Sequence, residues 1–62
     1  MNNWISVKDE LPTENDDYLV YLLNDHICIG YWLAEDFWSK GYYTFRLVVT
    51  HWMSLPEPPK DI

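Results

Sequence analysis

The chain has 62 residues, 48% of them hydrophobic and 18% aromatic, and its ten acidic and four basic side chains give a formal net charge of -6. Such a charge repels nucleic-acid phosphates and anionic lipids, so direct binding to nucleic acid or to a membrane is disfavoured. A chain this short buries only about 60% of its unfolded surface, so we expect one domain over residues 1–62, with a core dense in aromatic rings and with residues 60–62 frayed.

Cysteine usage and the apolar runs indicate the compartment. Cys28 is the single cysteine, so no internal disulfide can form and a cytoplasmic location is expected. Residues 1–4 lack a basic leader region, and the longest apolar run, residues 18–23, is far shorter than the roughly 20 residues that span a bilayer. We therefore expect neither a leader nor a membrane anchor.

The first elements are short. Trp4-Ile5 predicts a brief strand, and Ser6 with Asp9 three residues later is typical of the cap of a single helical turn. Residues 13–17 are polar and acidic, which favours an exposed loop.

A hairpin is the clearest pattern in the chain. Residues 18–23 and 26–33 flank Asn24-Asp25, a pair that tolerates the positive φ angles of a type I′ turn. If Leu23 pairs with His26, alternation sends one set of side chains to the core: Tyr18, Val20, Leu22, Ile27, Ile29 and Tyr31. The other face is then still too apolar for water, so a second layer or a partner must cover part of it: Leu19, Tyr21, Cys28, Gly30 and Trp32.

The second half predicts a meander. Turns are expected at Ala34-Glu35-Asp36 and Ser39-Lys40-Gly41, with a short strand at Phe37-Trp38 between them. Residues 42–46 alternate like a strand, Leu47 marks a bend, and residues 48–53 form a last strand that ends before Pro56. The sequence therefore predicts a mainly β fold, a small antiparallel twisted sheet or open barrel of four to five short strands with at most one helical turn. Trp4 and Trp52 are expected to meet in its core.

Two blocks at the chain ends resemble a known family. They are Trp4-Ile5-Ser6-Val7-Lys8-Asp9-Glu10-Leu11-Pro12 and Thr50-His51-Trp52-Met53-Ser54-Leu55-Pro56-Glu57-Pro58-Pro59, and they are similar to domain of unknown function 551, found in small phage and prophage proteins. Ser54 stands where the family pattern more often has proline. The resemblance implies a compact domain in a phage-type setting, inside a bacterial host cell, and implies no reaction.

Catalytic and metal chemistry are poorly represented. His26, Cys28 and His51 are too few for a closed zinc site, which takes four ligands. The three serines lie in no nucleophile-elbow pattern, and the two glycines form no phosphate loop. We expect neither an enzyme nor a bound cofactor or metal.

Protein binding is the function that the sequence favours. Crowded aromatics around residues 37–45 predict a surface with Trp38 and Tyr42 as anchors and with Lys40 and Arg46 at its polar rim. The phage-type resemblance makes a host protein the natural partner, and by analogy a defence-system component inhibited in the manner of an anti-CRISPR or other anti-immunity protein. Burial of these rings within the monomer or in a homodimer is the structural alternative.

Two further functions remain open. Glu14, Asp16 and Asp17 in the acidic segment 9–17 favour an acidic mimic of nucleic acid that occupies a basic groove. A structural or accessory module of a phage is the other.

Overall fold

The computed structural model describes residues 3–39 and 46–56, which form one five-stranded antiparallel sheet. In chain order the elements are β1 (Ile5–Ser6), β2 (Asp17–Leu22), β3 (Ile27–Leu33), β4 (Asp36–Trp38), a 3-10 turn (Arg46–Val48) and β5 (Val49–Ser54). The sheet order is β1-β5-β2-β3-β4, so the last strand lies between the first two. The predicted mainly β fold of four to five short antiparallel strands is confirmed.

The two ends of the chain meet in the sheet. Ile5 pairs with Trp52 and Ser6 pairs with His51. Beyond β1, the Ser6 hydroxyl accepts the peptide N–H of Lys8 at 3.2 Å and the Ser6 carbonyl accepts that of Glu10 at 3.1 Å. The helical turn predicted after Ser6 is therefore present.

The predicted register of the first hairpin is wrong by one residue. Leu22 N–H donates to the carbonyl of His26 at 2.9 Å, and Asp25 N–H donates to the carbonyl of Leu22 at 3.0 Å. Asp25 has a positive φ of 66° and Asn24 does not. The loop is thus a three-residue type I turn closed by a left-handed residue, instead of the two-residue type I′ turn.

This shift exchanges the two faces of β3. Val20 pairs with Cys28 and Tyr18 pairs with Gly30, so Cys28 and Gly30, expected on the opposite face, lie on the core side. A one-residue slip moves every side chain of a strand to the other face. The buried cluster is Tyr18, Val20, Trp32, Phe37, Val49 and Trp52, with Ile5, Val7, Leu11, Leu22 and Cys28 packed against it. Ile27, Ile29 and Tyr31, which were expected in the core, are exposed.

The second hairpin contains the type I′ turn. Leu33 pairs with Asp36, and the two residues between them, Ala34 and Glu35, have φ angles of 53° and 60°. Positive φ at both central positions defines this turn type. It delivers Phe37 into the core, where its ring lies edge-on to Trp32 with 4.8 Å between centroids.

Three further expectations concern the chain ends and the aromatic segment. Arg46 and Leu47 lie in the 3-10 turn, so the bend at Leu47 is confirmed and Arg46 is not in a strand. Trp52 is buried in the core, whereas Trp4 is half-buried and lies against Tyr21 on the other face, so the two tryptophans do not meet as predicted. The rest of the strand over 42–46, most of the turn at Lys40 and Gly41, and the frayed end at 60–62 lie outside the described residues.

Candidate interaction surface

The face of the sheet opposite the core is apolar. Besides Asp17 and Asp36, strand alternation and register place ten largely apolar side chains on this face, which is called the open face below: Trp4, Leu19, Tyr21, Ile27, Ile29, Tyr31, Leu33, Trp38, His51 and Met53. Leu19 is central, since it pairs with Ile29 on one side and Met53 on the other. A band of apolar side chains therefore crosses the sheet from β1 to β4.

Strand β3 supplies the most exposed part of the open face. Its four outward side chains, Ile27, Ile29, Tyr31 and Leu33, are 56%, 49%, 40% and 43% exposed. Together these fractions correspond to about two whole side chains, on the order of 400 Å², which is the size of the apolar patches that mark interaction sites. Among the described residues, the side chains that β3 turns to the core face, Cys28, Gly30 and Trp32, are half-buried or buried, so the exposed patch lies on the open side of this strand.

An aromatic cluster borders this patch on the β1 side. The ring of Tyr21 lies 5.6 Å from Trp4 and 6.2 Å from His51, with interplanar angles of 74° and 86°. Edge-to-face pairs of this kind are favourable and hold the rings in fixed positions. The three side chains line a shallow hollow of about 300 Å³, which offers a partner a preformed recess.

Acidic side chains mark the margins of the open face. Asp17 begins β2 at one end, and Asp36 begins β4 along an outer edge. At the hairpin end, the Tyr21 hydroxyl donates to Asp25 Oδ1 at 2.9 Å. This hydrogen bond, with the nearby carboxylate charge, raises the pKa of Tyr21. The surface therefore has an apolar centre and acidic margins.

Trp38, predicted for the aromatic surface, and Asp17, predicted for the acidic segment, both lie on the open face. Tyr31 pairs with Asp17 on one side and with Trp38 on the other, so the three form a single row across the open face. Two strand spacings separate Asp17 from Trp38, about 10 Å. Trp38 is half-buried, and its indole N–H donates to the carbonyl of Leu33 at 3.0 Å, which fixes the ring at the edge of the face.

Glu14 and Asp16 lie in the exposed loop before β2, as predicted. The Tyr18 hydroxyl donates to the carbonyl of Glu14 at 3.0 Å, and Trp32 N–H donates to the carbonyl of Asp16 at 2.9 Å. Burial, followed by the charges of Asp16 and Glu14, raises the pKa of Tyr18. Backbone carbonyls thus fix the loop to the sheet while its carboxylates face outward.

Arg46 is exposed and lies beside the second hairpin. Its peptide N–H donates to Asp36 Oδ1 and its Nη1 donates to the carbonyl of Glu35, both at 3.2 Å. The other two predicted surface residues, Lys40 and Tyr42, lie outside the described residues. Of the predicted aromatic surface, the structure therefore places Trp38 at the end of β4 and Arg46 in hydrogen-bond contact with Glu35 and Asp36 at the start of that strand.

The family to which the two end blocks are similar is also the one that a family model identifies, and strands of these two blocks pair in the sheet. The model of the family described as Protein of unknown function (DUF551) matches residues 3–60. The chain belongs to the DUF551 family. No curated protein and no solved structure matches this DUF551 chain.

Within the part of the DUF551 chain that the structure describes, neither a metal cluster nor a membrane-spanning helix is found. No group of three or more His, Cys, Asp and Glu side chains there could hold a metal ion, and no helix there is long and apolar enough to cross a bilayer. His26 is exposed, and Cys28 is half-buried on the core side, where burial raises the pKa of its thiol.

Sequence reasoning assigned Ile27 and Ile29 of the DUF551 chain to the core, although they belong to the open face. A signal for the correct face was present in β3. Its residues alternate between small and large side chains, with Cys28 and Gly30 between Ile27, Ile29 and Tyr31. Small side chains leave room for large rings on the same face, and Tyr18 lies opposite Gly30.

Proposed function

We propose that this protein is a non-enzymatic binding protein of phage or prophage type that engages a bacterial protein partner in the cytoplasm of the host cell. The observation that supports this function is the exposed apolar patch that β3 presents on the open face. Large apolar and aromatic side chains held in place in this way form the centres of protein interfaces. The exposed patch on β3 is about half of a standard interface per partner, which is roughly 800 Å², so the aromatic cluster and Trp38 complete the contact area.

The charges around the open face indicate the partner's chemistry. Asp17, Asp25 and Asp36 lie at its margins, and the protein carries a net charge of -6. A second copy packed on this face would bring two sets of acidic margins together, which is unfavourable. A partner with an apolar centre and a rim of lysine and arginine side chains fits better, and its association rate should fall as salt screens the attraction.

Partner capture with matched variants tests this function. The tagged protein is used to capture bacterial proteins, the partner is identified and purified, and dissociation constants are measured. Ile29→Ser should weaken binding at least tenfold, since it removes an apolar anchor at the centre of the patch. Leu47→Ser is the control, because Leu47 is 95% exposed in the 3-10 turn and lies outside the open face.

Two outcomes would contradict the proposal. Equal loss of affinity in the two variants would mean that the open face is not the contact surface. Concentration-dependent dimerisation that Ile29→Ser abolishes, measured by analytical ultracentrifugation, would identify a second copy as the occupant. Thermal unfolding of both variants close to the parent temperature establishes that the comparison concerns binding alone, because both side chains are largely exposed.

A narrower form of the proposal is inhibition of a host defence system, in the manner of an anti-CRISPR or other anti-immunity protein. The family resemblance to phage proteins and the absence of a recognised reaction motif in the sequence favour it. Expression of the parent protein should restore plating of a restricted phage on a defended host by at least tenfold, and Ile29→Ser should not. No restoration by the parent on hosts that carry the captured partner would reject this form.

A mimic of nucleic acid is the second candidate, and it is favoured by the outward carboxylates of Glu14, Asp16 and Asp17. The triple variant Glu14→Gln, Asp16→Asn, Asp17→Asn keeps the backbone carbonyls that attach this loop to the sheet, so it should fold. A moderate loss of partner affinity is expected if these acids only assist the open face. Complete loss, with Ile29→Ser unaffected, would establish the mimic instead.

A further inference from the structure

A second recess lies at the end of the sheet where the first hairpin turns. Of the residues assigned to the open face, His51 also lines this recess. It is a cleft of about 610 Å³, within the range of small-ligand sites. Three segments enclose it: the turn after β1, the tip of the first hairpin, and the chain from the 3-10 turn into β5. Leu23 N–H donates to the carbonyl of Val48 at 2.8 Å and Val7 N–H donates to that of Thr50 at 3.0 Å, so backbone hydrogen bonds hold the walls together.

The charge of the cleft is opposite to that of the protein. The described residues include two basic side chains, Lys8 and Arg46, and both line the cleft. None of the eight acidic residues of the described ranges lines it. A local cationic site in a protein of net charge -6 favours an anionic ligand.

Arg46 is positioned to bind a carboxylate. One guanidinium nitrogen, Nη1, is held by the carbonyl of Glu35, and the planar group carries five N–H donors in all. The carboxylate of Asp36 accepts the peptide N–H groups of Phe37 and Arg46 at 2.8 and 3.2 Å. Both contacts are to backbone amides, and neither involves the guanidinium of Arg46. Arginine pairs with carboxylates through paired N–H donors, and Lys8 adds a second cation.

His51 supplies a hydrogen-bond acceptor beside these cations. The Thr50 hydroxyl donates its one proton to the carbonyl of Tyr21 at 3.2 Å, so at 2.9 Å it accepts from Nδ1 of His51. With the proton on Nδ1, the Nε2 atom of the neutral ring is an acceptor. The cleft thus offers cations for a carboxylate, an acceptor for a neighbouring N–H group, and the apolar side chains of Val7 and the exposed Leu23 for an aliphatic body.

We propose that this cleft binds an N-acylated amino acid with an aliphatic side chain, either as a free molecule or as the C-terminal residue of a peptide. The carboxylate pairs with Lys8 and Arg46, the adjacent amide N–H donates to His51 Nε2, and the side chain packs on Val7 and Leu23. Both sources present the same three groups. Among the described residues, the site shares His51 with the partner surface proposed above.

Titration of the whole 62-residue protein with N-acetyl-leucine, followed by amide NMR, tests the site. Resonances of Lys8, Thr50 and His51 should shift with saturation, and N-acetyl-leucinamide, which lacks the carboxylate, should bind at least tenfold more weakly. A short peptide that ends in leucine distinguishes the sources. If it binds at least tenfold more tightly than N-acetyl-leucine the ligand is a peptide end, and if it binds equally the ligand is the free acid.

Charge-matched variants separate local pairing from net charge. Arg46→Gln and Lys8→Gln should each weaken N-acetyl-leucine binding at least fivefold. Glu14→Gln added to Arg46→Gln restores the net charge to -6 from the far end of β2, and it should not restore affinity. Recovery of affinity in that double variant, equal binding of acid and amide, or unchanged affinity in both single variants would overturn the proposal.

Discussion

Replacement of Glu35 by glycine should stabilise the protein. Ala34 and Glu35 hold φ angles of 53° and 60° in the type I′ turn between β3 and β4. A left-handed conformation costs an ordinary residue about 1 to 2 kcal/mol, which glycine does not incur. Glycine also adds about 0.4 to 1 kcal/mol of conformational entropy to the unfolded state. The net gain for Glu35→Gly is therefore about 0.5 to 1 kcal/mol.

Thermal unfolding can resolve this difference. In a domain of this size 1 kcal/mol shifts the melting temperature by about 4 to 8 °C, so Glu35→Gly should raise it by roughly 2 to 8 °C. The hydrogen bond from Arg46 to Glu35 uses the backbone carbonyl and survives the change. Glu14→Gly removes the same charge at an exposed residue without a positive φ, so it should lower the melting temperature. A decrease in both variants would refute the assignment of strain to this turn.

Three other measurements follow from the core and the tyrosines. Trp52→Ala should lower the free energy of unfolding by about 3 to 5 kcal/mol, which is comparable to the roughly 3 to 9 kcal/mol expected for the whole domain. Circular dichroism should therefore show no cooperative melt, and a melt near the parent temperature would contradict this. Burial raises the pKa of Tyr18, and the hydrogen bond to Asp25 raises that of Tyr21. The folded protein therefore favours the neutral phenols, and the stability that this preference contributes is present below pH 10 and is lost as the two phenols ionise at higher pH. Urea midpoints should therefore fall as the pH is raised above 10, and an unchanged midpoint would count against the assignment. Because Cys28 is half-buried and burial raises the pKa of its thiol, that thiol should react with a disulfide reagent at pH 8 more slowly in the folded protein than in urea; equal rates would place the thiol at the surface.

The strands were more predictable from the sequence than their register. Branched and aromatic runs located β2, β3 and β5, because these residue types favour the pleated conformation wherever the sheet forms. The register depended on one loop, where Asn24-Asp25 has the composition of a type I′ turn but only Asp25 takes a positive φ. The type I′ turn formed instead at Ala34-Glu35, which has no such composition, because the fit of β4 into the sheet overrides local preference.

The candidate surfaces depended on that register. Trp38 and Asp17 were assigned to separate surfaces by their neighbours in sequence, and only the pairing of each with Tyr31 brings them into one row. The cleft could not be predicted from the sequence either, because Lys8 and Arg46 are far apart in the chain. Their meeting follows from the insertion of β5 next to β1, a long-range pairing that no local pattern records.

The position of β5 also has a consequence for the order of events during synthesis. The hairpins from β2 to β4 are local and can form as soon as they are made, whereas β1 has β5 as its partner among the described strands. Strand β1 must therefore wait for this partner until β5 has been translated. Non-local pairings of this kind form late and slowly. A ribosome that stops before residue 49 would release a chain without β5, so that β1 would lose its described partner and β2 one of its two neighbours in the sheet.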